Sequence, residues 1–474
     1  MSHSTIVRIG AVLLVLFRPG LAHAQSSTGL AGLLPDLLLR EIMLPAPSTP
    51  GVFTHSAHFS PLLSNDPENP AVGIVKSLNT QLAVQVATSP LASSAGGFTY
   101  SFDSSLGTFR RSSPSFGPTY AERASTNGRH RLSAGFNYQH LSYSTLEGQD
   151  LQNGSIKIYL RHEDCCSTGG PAGPPFFGVN PVPDGSRLTP FFEGDLIQAA
   201  LSLTATTDRF TSYSTYGVTN RWDIGLAVPV VRVALDATVH ATILRLATGS
   251  NAAIHTFVAG DPNATTSTFV SAGSATGLGD VVLRTKYRLA QGIAVAVDWR
   301  LPTGNRDDLL GAGNQVKAFF IGSNEHGRLG EHVNVGYTWS SGELTGLGEF
   351  AALAGTSQVP NEFNYTGGVE FVPESRLTII GDMIGRTLIN MGRLTPELKT
   401  FDYQTATAAP GAISTAQFEE FAVHDGNLNV LLGTAGVKYN PVGNLLISAH
   451  VLFPLTTGGL KSRVSPTVGV DYTF

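Results

Sequence analysis

From residue 130 to the C-terminus, apolar and polar side chains alternate with period two in a series of short segments. The first sets Leu132, Ala134, Phe136 and Tyr138 against Ser133, Gly135, Asn137 and Gln139. Such alternation marks a strand with one apolar and one polar face. Similar segments cover residues 197–203, 222–241, 281–289, 293–301, 316–322, 333–339, 363–371, 377–385, 427–439 and 445–453, and the chain closes on SPTVGVDYTF. Twelve strands are predicted. The second loses its alternation at Thr206 to Arg209, which fits one long bulged strand or two strands, so the count is twelve or fourteen.

The connections add a topology. After the even strands they are tight: TNR, AQG, NEHGRLGE, PES and NPVGN. After the odd strands they are longer or richer in glycine and proline, filling residues 144–193, 244–277, 303–314, 342–360, 389–426 and 456–463. Short turns on one side and long loops on the other are the pattern of an antiparallel transmembrane barrel, with the turns in the periplasm. Closure removes the sheet edges that lipid cannot hydrate. The terminal strand must then pair with the strand at Leu132. Trp222 falls near the periplasmic level, and Trp299 and Trp339 fall near the outer level, where aromatic girdles belong.

Composition agrees with this reading. Charged residues make up 14% of the chain, glycines number 52, and mean hydropathy is near zero. A soluble domain of this size carries nearer a quarter charged residues. At the N-terminus, Arg8 precedes the apolar run IGAVLLVLF, and Ala22-His23-Ala24 supplies an A-x-A cleavage site, so residues 1–24 read as a secretory signal peptide. Its removal takes away two arginines and moves the formal charge from −5 to −7, which speaks against nucleic acid as a partner. No later run is long and apolar enough for a membrane helix.

Residues 25–128 lack the alternation. Leu30, Leu33, Leu34, Leu37 and Leu38 have helical spacing, as do Val75, Leu78, Leu82 and Val86. These predict two short helices lying in the barrel mouth as a hatch, or else a loose periplasmic leader. The chain thus divides into signal peptide (1–24), hatch or plug segment (25–128) and barrel (129–474). The fold class is all-β.

The stretch FTYSFDSSLGTFRRSSPSFGPTYAERASTNGRHRLSAGFNYQHLSYSTLEGQDL resembles the outer-membrane proteins grouped under the putative meta-pathway of phenol degradation. YGVTNRWDIGLAVPVVRV, RLPTGN and GDMIGR are similar as well. The resemblance implies a monomeric barrel passing small, often aromatic or hydrophobic molecules, distantly similar to long-chain fatty-acid transporters, whose lumen a hatch plugs. Terminal Phe474 resembles the aromatic signal that barrel-assembly machinery recognises.

If the apolar faces meet lipid and lipopolysaccharide, the opposite faces line the lumen. That places Arg284, Lys286, Asp298, Arg300, Glu370, Asp382, Arg386, His450 and Asp471 inside. Mixed charges on neighbouring strands either rigidify the barrel and hold its plug or form a charged, solute-selecting path. HEDCC (His162 to Cys166) suggests metal, but five consecutive residues cannot all face one ion, and adjacent Cys165 and Cys166 suit a loop structure better than a strained disulfide. No cofactor is implied. His140 and Ser142 share one strand face, as in outer-membrane phospholipases, yet Tyr143 stands where that motif carries asparagine and no orienting partner is evident. The expectation is a non-enzymatic outer-membrane channel or transporter for small, hydrophobic or aromatic molecules. A structural or adhesive barrel with a closed lumen is the alternative, and a lipid hydrolase comes third.

Overall fold

The computed structural model describes residues 29–45, most of 59–103, 108–162, 194–248, 255–344, 349–403 and 413–474. Residues 1–24, read above as a signal peptide, and Cys165 and Cys166 lie outside the described residues. Twelve strands close into one antiparallel barrel: β1 (Leu132–Leu146), β2 (Leu196–Gly217), β3 (Trp222–Leu244), β4 (Val282–Ala290), β5 (Ile293–Arg300), β6 (Gln315–His326), β7 (Leu329–Ser340), β8 (Glu362–Glu374), β9 (Leu377–Leu388), β10 (Leu428–Tyr439), β11 (Leu445–Pro454) and β12 (Ser465–Thr473). Each pairs with its neighbour in sequence. Strand β12 closes the ring on β1, from Thr467 opposite Gln139 to Thr473 opposite Ser133. The Phe474 N–H donates to the Leu132 carbonyl at 2.8 Å, so hydrogen bonding continues to the last residue.

On the turn side of the barrel the alternation obeys the lipid rule. Trp222, Ile224 and Leu226 of β3 point outward and are exposed, as are Phe320, Val333, Val369, Ile447 and Val468. Between them, inward positions are polar and buried. A belt of this kind is what a bilayer core requires of a barrel.

Above the belt the polarity inverts. In β3 the outward positions after Val230 become Arg232, Asp236, Thr238 and His240, whereas Val231, Val233, Leu235, Ala237 and Val239 point inward and are buried. Strand β2 does the same: inward Thr207, Arg209 and Thr211 give way to inward Ile197, Ala199, Leu201 and Leu203. The expectation that apolar faces meet lipid along the whole strand is therefore corrected for these upper halves. The break at Thr206 to Arg209 is neither a bulge nor a turn, because β2 pairs with β3 without a register shift from Leu196 to Gly217. It is the level at which the apolar face changes sides. A spanning strand needs roughly 9–11 residues, and β2 and β3 have 22 and 23. Their upper halves stand clear of the lipid and fold around an apolar interior of their own.

Several stretches read as loops contain further strands. Thr266–Leu278 pairs with the upper half of β3. Arg393–Tyr403 and Ser414–His424 form a separate hairpin. Tyr159, from the short strand Ile156–Arg161 beside β2, lies against Phe401 and Phe418 of that hairpin, with ring centroids 5.3 and 5.4 Å away. Its N–H donates to Glu420 at 3.0 Å, and burial raises the Glu420 carboxyl above the ordinary carboxylate range.

The upper interior is filled by the leader. Helix α1 (Gly29–Asp36) runs on as a π-turn over Leu37–Glu41, α2 (Pro61–Ser64) is a single turn, and α3 (Pro70–Ala87) is the long one. Pro70 opens α3 at a position where its missing N–H costs nothing, and the Asn69 side chain caps the Ala71 N–H at 3.2 Å. Leu33, Leu34, Leu37 and Leu38, together with Val75, Leu78, Leu82 and Val86, pack in one cluster with the inward apolar side chains of β2 and β3. Burying each such side chain is worth about 1.5–3 kcal/mol.

Candidate functional site

Below the helices, residues 113–127 cross the lumen as an extended segment with almost every residue buried. Nothing in their pattern is periodic. What holds them is the polar inner wall. Asp382 on β9 accepts the Thr119 and Tyr120 N–H groups at 3.0 and 2.8 Å. His450 on β11 meets the Thr119 hydroxyl at 3.2 Å, and Lys438 on β10 donates to the Pro118 carbonyl at 2.7 Å. Glu370 on β8 bonds the Ser115 hydroxyl and His332 of β7, the latter at 2.8 Å. Asn334 donates to the Glu122 carbonyl at 2.9 Å and accepts the Glu122 N–H at 2.6 Å.

Glu122 is the segment's charged anchor. It bonds Arg284 of β4, whose guanidinium also grips both oxygens of Asp298 on β5 at 2.5 and 2.6 Å. Lys286 approaches the other Glu122 oxygen at 3.5 Å and donates to the Arg123 carbonyl at 3.3 Å. Each of these charges is buried and compensated by at least one opposite charge, the condition under which buried ions are tolerated.

The end of α3 is held by arginines from three strands. Arg209 of β2 donates to the Val86 carbonyl at 2.9 Å, Arg300 of β5 to the Ala87 carbonyl at 3.3 Å, and Arg386 of β9 to the Thr88 carbonyl at 2.9 Å. The last carbonyls of a helix have no partners of their own and carry the negative end of its dipole, so three cations there satisfy both needs. Arg386 also pairs with Glu362 on β8.

The nine candidate lumen residues all lie on inward positions, but they form no single ring. Arg284, Lys286, Arg300, Glu370, Asp382, Arg386 and His450 reach the leader directly. Asp298 reaches it only through Arg284, and Asp471 instead accepts a hydrogen bond from Tyr213 on β2. Sequence reading missed Glu122, Arg209, Lys317, His332 and Glu362. Parity alone marks Lys317 as inward on a strand already recognised, and His332 sits one residue before its predicted strand. Glu362 sits one residue before its predicted strand, and Glu122 has no periodic signal at all.

Between the leader and strands β4 to β9 lies a cavity of about 110 Å³. Thr88, Pro90, Tyr120 and Glu122 form its leader side; Arg284, Arg300, Lys317 and Arg386 bring four cations to the wall against the carboxylates of Glu122, Asp298 and Glu362. The pocket between hatch and wall is therefore polar rather than apolar. A smaller cavity of about 50 Å³ adjoins it, sharing Pro90 and Arg386 and lined further out by Lys461, Gln139 and Leu141. The Lys461 ammonium is buried without a hydrogen-bond partner among the described residues, and burial lowers its pKa from 10.5 to about 8.

His140 does have an orienting partner, contrary to expectation: Asp208 on β2 lies 2.7 Å from its Nδ1 and also accepts the Tyr138 hydroxyl at 2.7 Å. These residues face outward at the upper edge of the belt. Among the described residues no hydrogen bond joins Ser142 to the His140 ring.

No family model matches the chain, and no curated protein matches it. Solved structures with a similar fold include an outer membrane channel from Pseudomonas putida F1, at TM-score 0.40 and 11% identity, covering 74% of this chain and 98% of that one. A Pseudomonas aeruginosa FadL homologue follows at 0.31 and 12%, covering 73% and 90%. The toluene transporter TbuX from Ralstonia pickettii gives 0.28 and 10%, covering 73% and 90%. The likeness is one of fold.

Proposed function

We propose that this protein is a monomeric outer-membrane channel or transporter for small, hydrophobic or aromatic molecules, with residues 25–128 as the plug that gates it. The supporting observation is that the polar inner wall is bonded mainly to the chain's own leader. Seven of the nine inward residues singled out from the sequence contact it. Hydrogen bonds of this kind, which involve charged groups, exchange for bonds to water at a net cost of about 1.5–3 kcal/mol each, so the plug can shift stepwise where a covalent seal would not. The leucine-rich layer of α1 and α3 above the belt gives an apolar solute a compatible environment on the way in.

A barrel whose lumen stays shut is the competing reading, and the paired strands Arg393–Tyr403 and Ser414–His424, outside the barrel sheet, suit partner binding. Release of an aromatic solute from liposomes separates the two. Liposomes carrying the full chain release it faster than protein-free ones, and removal of residues 25–128 accelerates release further. Two folded barrels that both leave the solute inside would sink the transport reading.

A further inference from the structure

In the larger cavity the charges do not cancel. Asp298 has both oxygens taken by Arg284, although its register partner across the β5–β6 pair is Lys317. Glu362 is taken by Arg386. Lys317 is left with no carboxylate at ion-pair distance among the described residues; its ammonium lies over the Phe319 ring, 4.6 Å from the centroid. Arg300, on the neighbouring strand and the same inward face, has among the described residues one long bond to a backbone carbonyl. Two cations thus face the cavity with no carboxylate at ion-pair distance among the described residues. An uncompensated cation enclosed in protein is costly, and it is retained where a ligand completes it.

The rest of the lining limits what that ligand is. Phe319, Ile384 and Val282 supply apolar surface beside the cations. At about 110 Å³ the cavity is several times the roughly 10–15 Å³ that a single water needs, which suits one compact ring and excludes a long acyl chain. The adjoining cavity repeats the arrangement, with Lys461 unpaired next to Leu141 and Leu432.

Resting on the channel reading above, we propose that the cavity between plug and wall is a binding site for a small aromatic monocarboxylate. Lys317 and Arg300 take its carboxylate, and Phe319 and Ile384 take its ring. Lys461 marks a second station for the same anion nearer the loop side. The site selects the ionised acid over a neutral aromatic of the same size, because only the anion completes the two cations.

Titration calorimetry on the full-length chain in detergent micelles tests this, with benzoate as probe, benzyl alcohol as its neutral counterpart, acetate as the anion without a ring, and micelles alone as the blank. Benzoate binds at least about tenfold more tightly than either comparison compound. Lys317→Met weakens benzoate by about tenfold or more and leaves benzyl alcohol unchanged, while Lys317→Arg stays within about threefold of the wild type. Should Lys317→Met lose the heat-modifiable gel mobility of a folded barrel, Arg300→Gln replaces it with the same expectation. Benzoate binding no tighter than benzyl alcohol or acetate overturns the proposal, as does a folded variant that binds like the wild type. A chain that binds benzoate but passes no solute even without residues 25–128 fails as a channel and keeps the anion site; one that passes solute and ignores benzoate does the reverse.

Discussion

Arg386 donates to the Thr88 carbonyl at 2.9 Å and so ties the end of helix α3 to strand β9 across the lumen. The same guanidinium holds Glu362. One side chain therefore couples the plug to the charge balance of the wall, and its loss leaves a buried carboxylate unpaired. Arg386→Gln destabilises the folded protein by about 3–5 kcal/mol. Arg209→Gln, which removes a bond to Val86, costs less, about 1–2 kcal/mol. Urea unfolding in detergent orders the two variants.

The inversion of polarity in β3 fixes the upper edge of the lipid belt near Val230. Leu226→Arg, outward and within the belt, costs about 2–4 kcal/mol, whereas Thr238→Arg, outward but above it, costs about 0–1 kcal/mol. Folding of both variants into lipid vesicles measures the difference. Equal penalties would place Thr238 in lipid and remove the boundary.

Lys461 gives a pH signature. Its folded pKa is about 8 against 10.5 for the free side chain, so folding disfavours the charged form. The penalty is full below about pH 8, shrinks as pH rises, and is gone above about 10.5. Lys461→Met raises stability by about 1–3 kcal/mol at pH 7, and the gain fades toward pH 10. A gain that is constant with pH contradicts the buried charge.

The barrel was legible in the sequence because each spanning strand repeats one simple rule, and that rule alone put all nine candidate residues on the inner wall. It failed where the solvent changes. At Thr206 to Arg209 the outer face passes from lipid to water and the inner face from polar wall to leucine-rich helix, so the alternation reverses in phase and mimics a break. The strand Thr266–Leu278 was missed for a related reason: Thr, Ser, Ala and Gly on both faces give no contrast. The plug segment was least legible. Glu122, Thr119 and Tyr120 are fixed by partners 162 to 331 residues away in sequence, and no local pattern announces such contacts.

Glu122 joins the plug to Arg284 and Lys286 in the wall and accepts nothing that neutral glutamine would hold as strongly. Single-channel recording in planar bilayers on the wild type and Glu122→Gln is the most direct measurement. A plug gated by polar contacts predicts a nearly silent wild type and frequent open events in the variant, with both proteins showing folded-barrel gel mobility. Two folded proteins that are equally silent would contradict a movable plug and leave a barrel that is permanently closed.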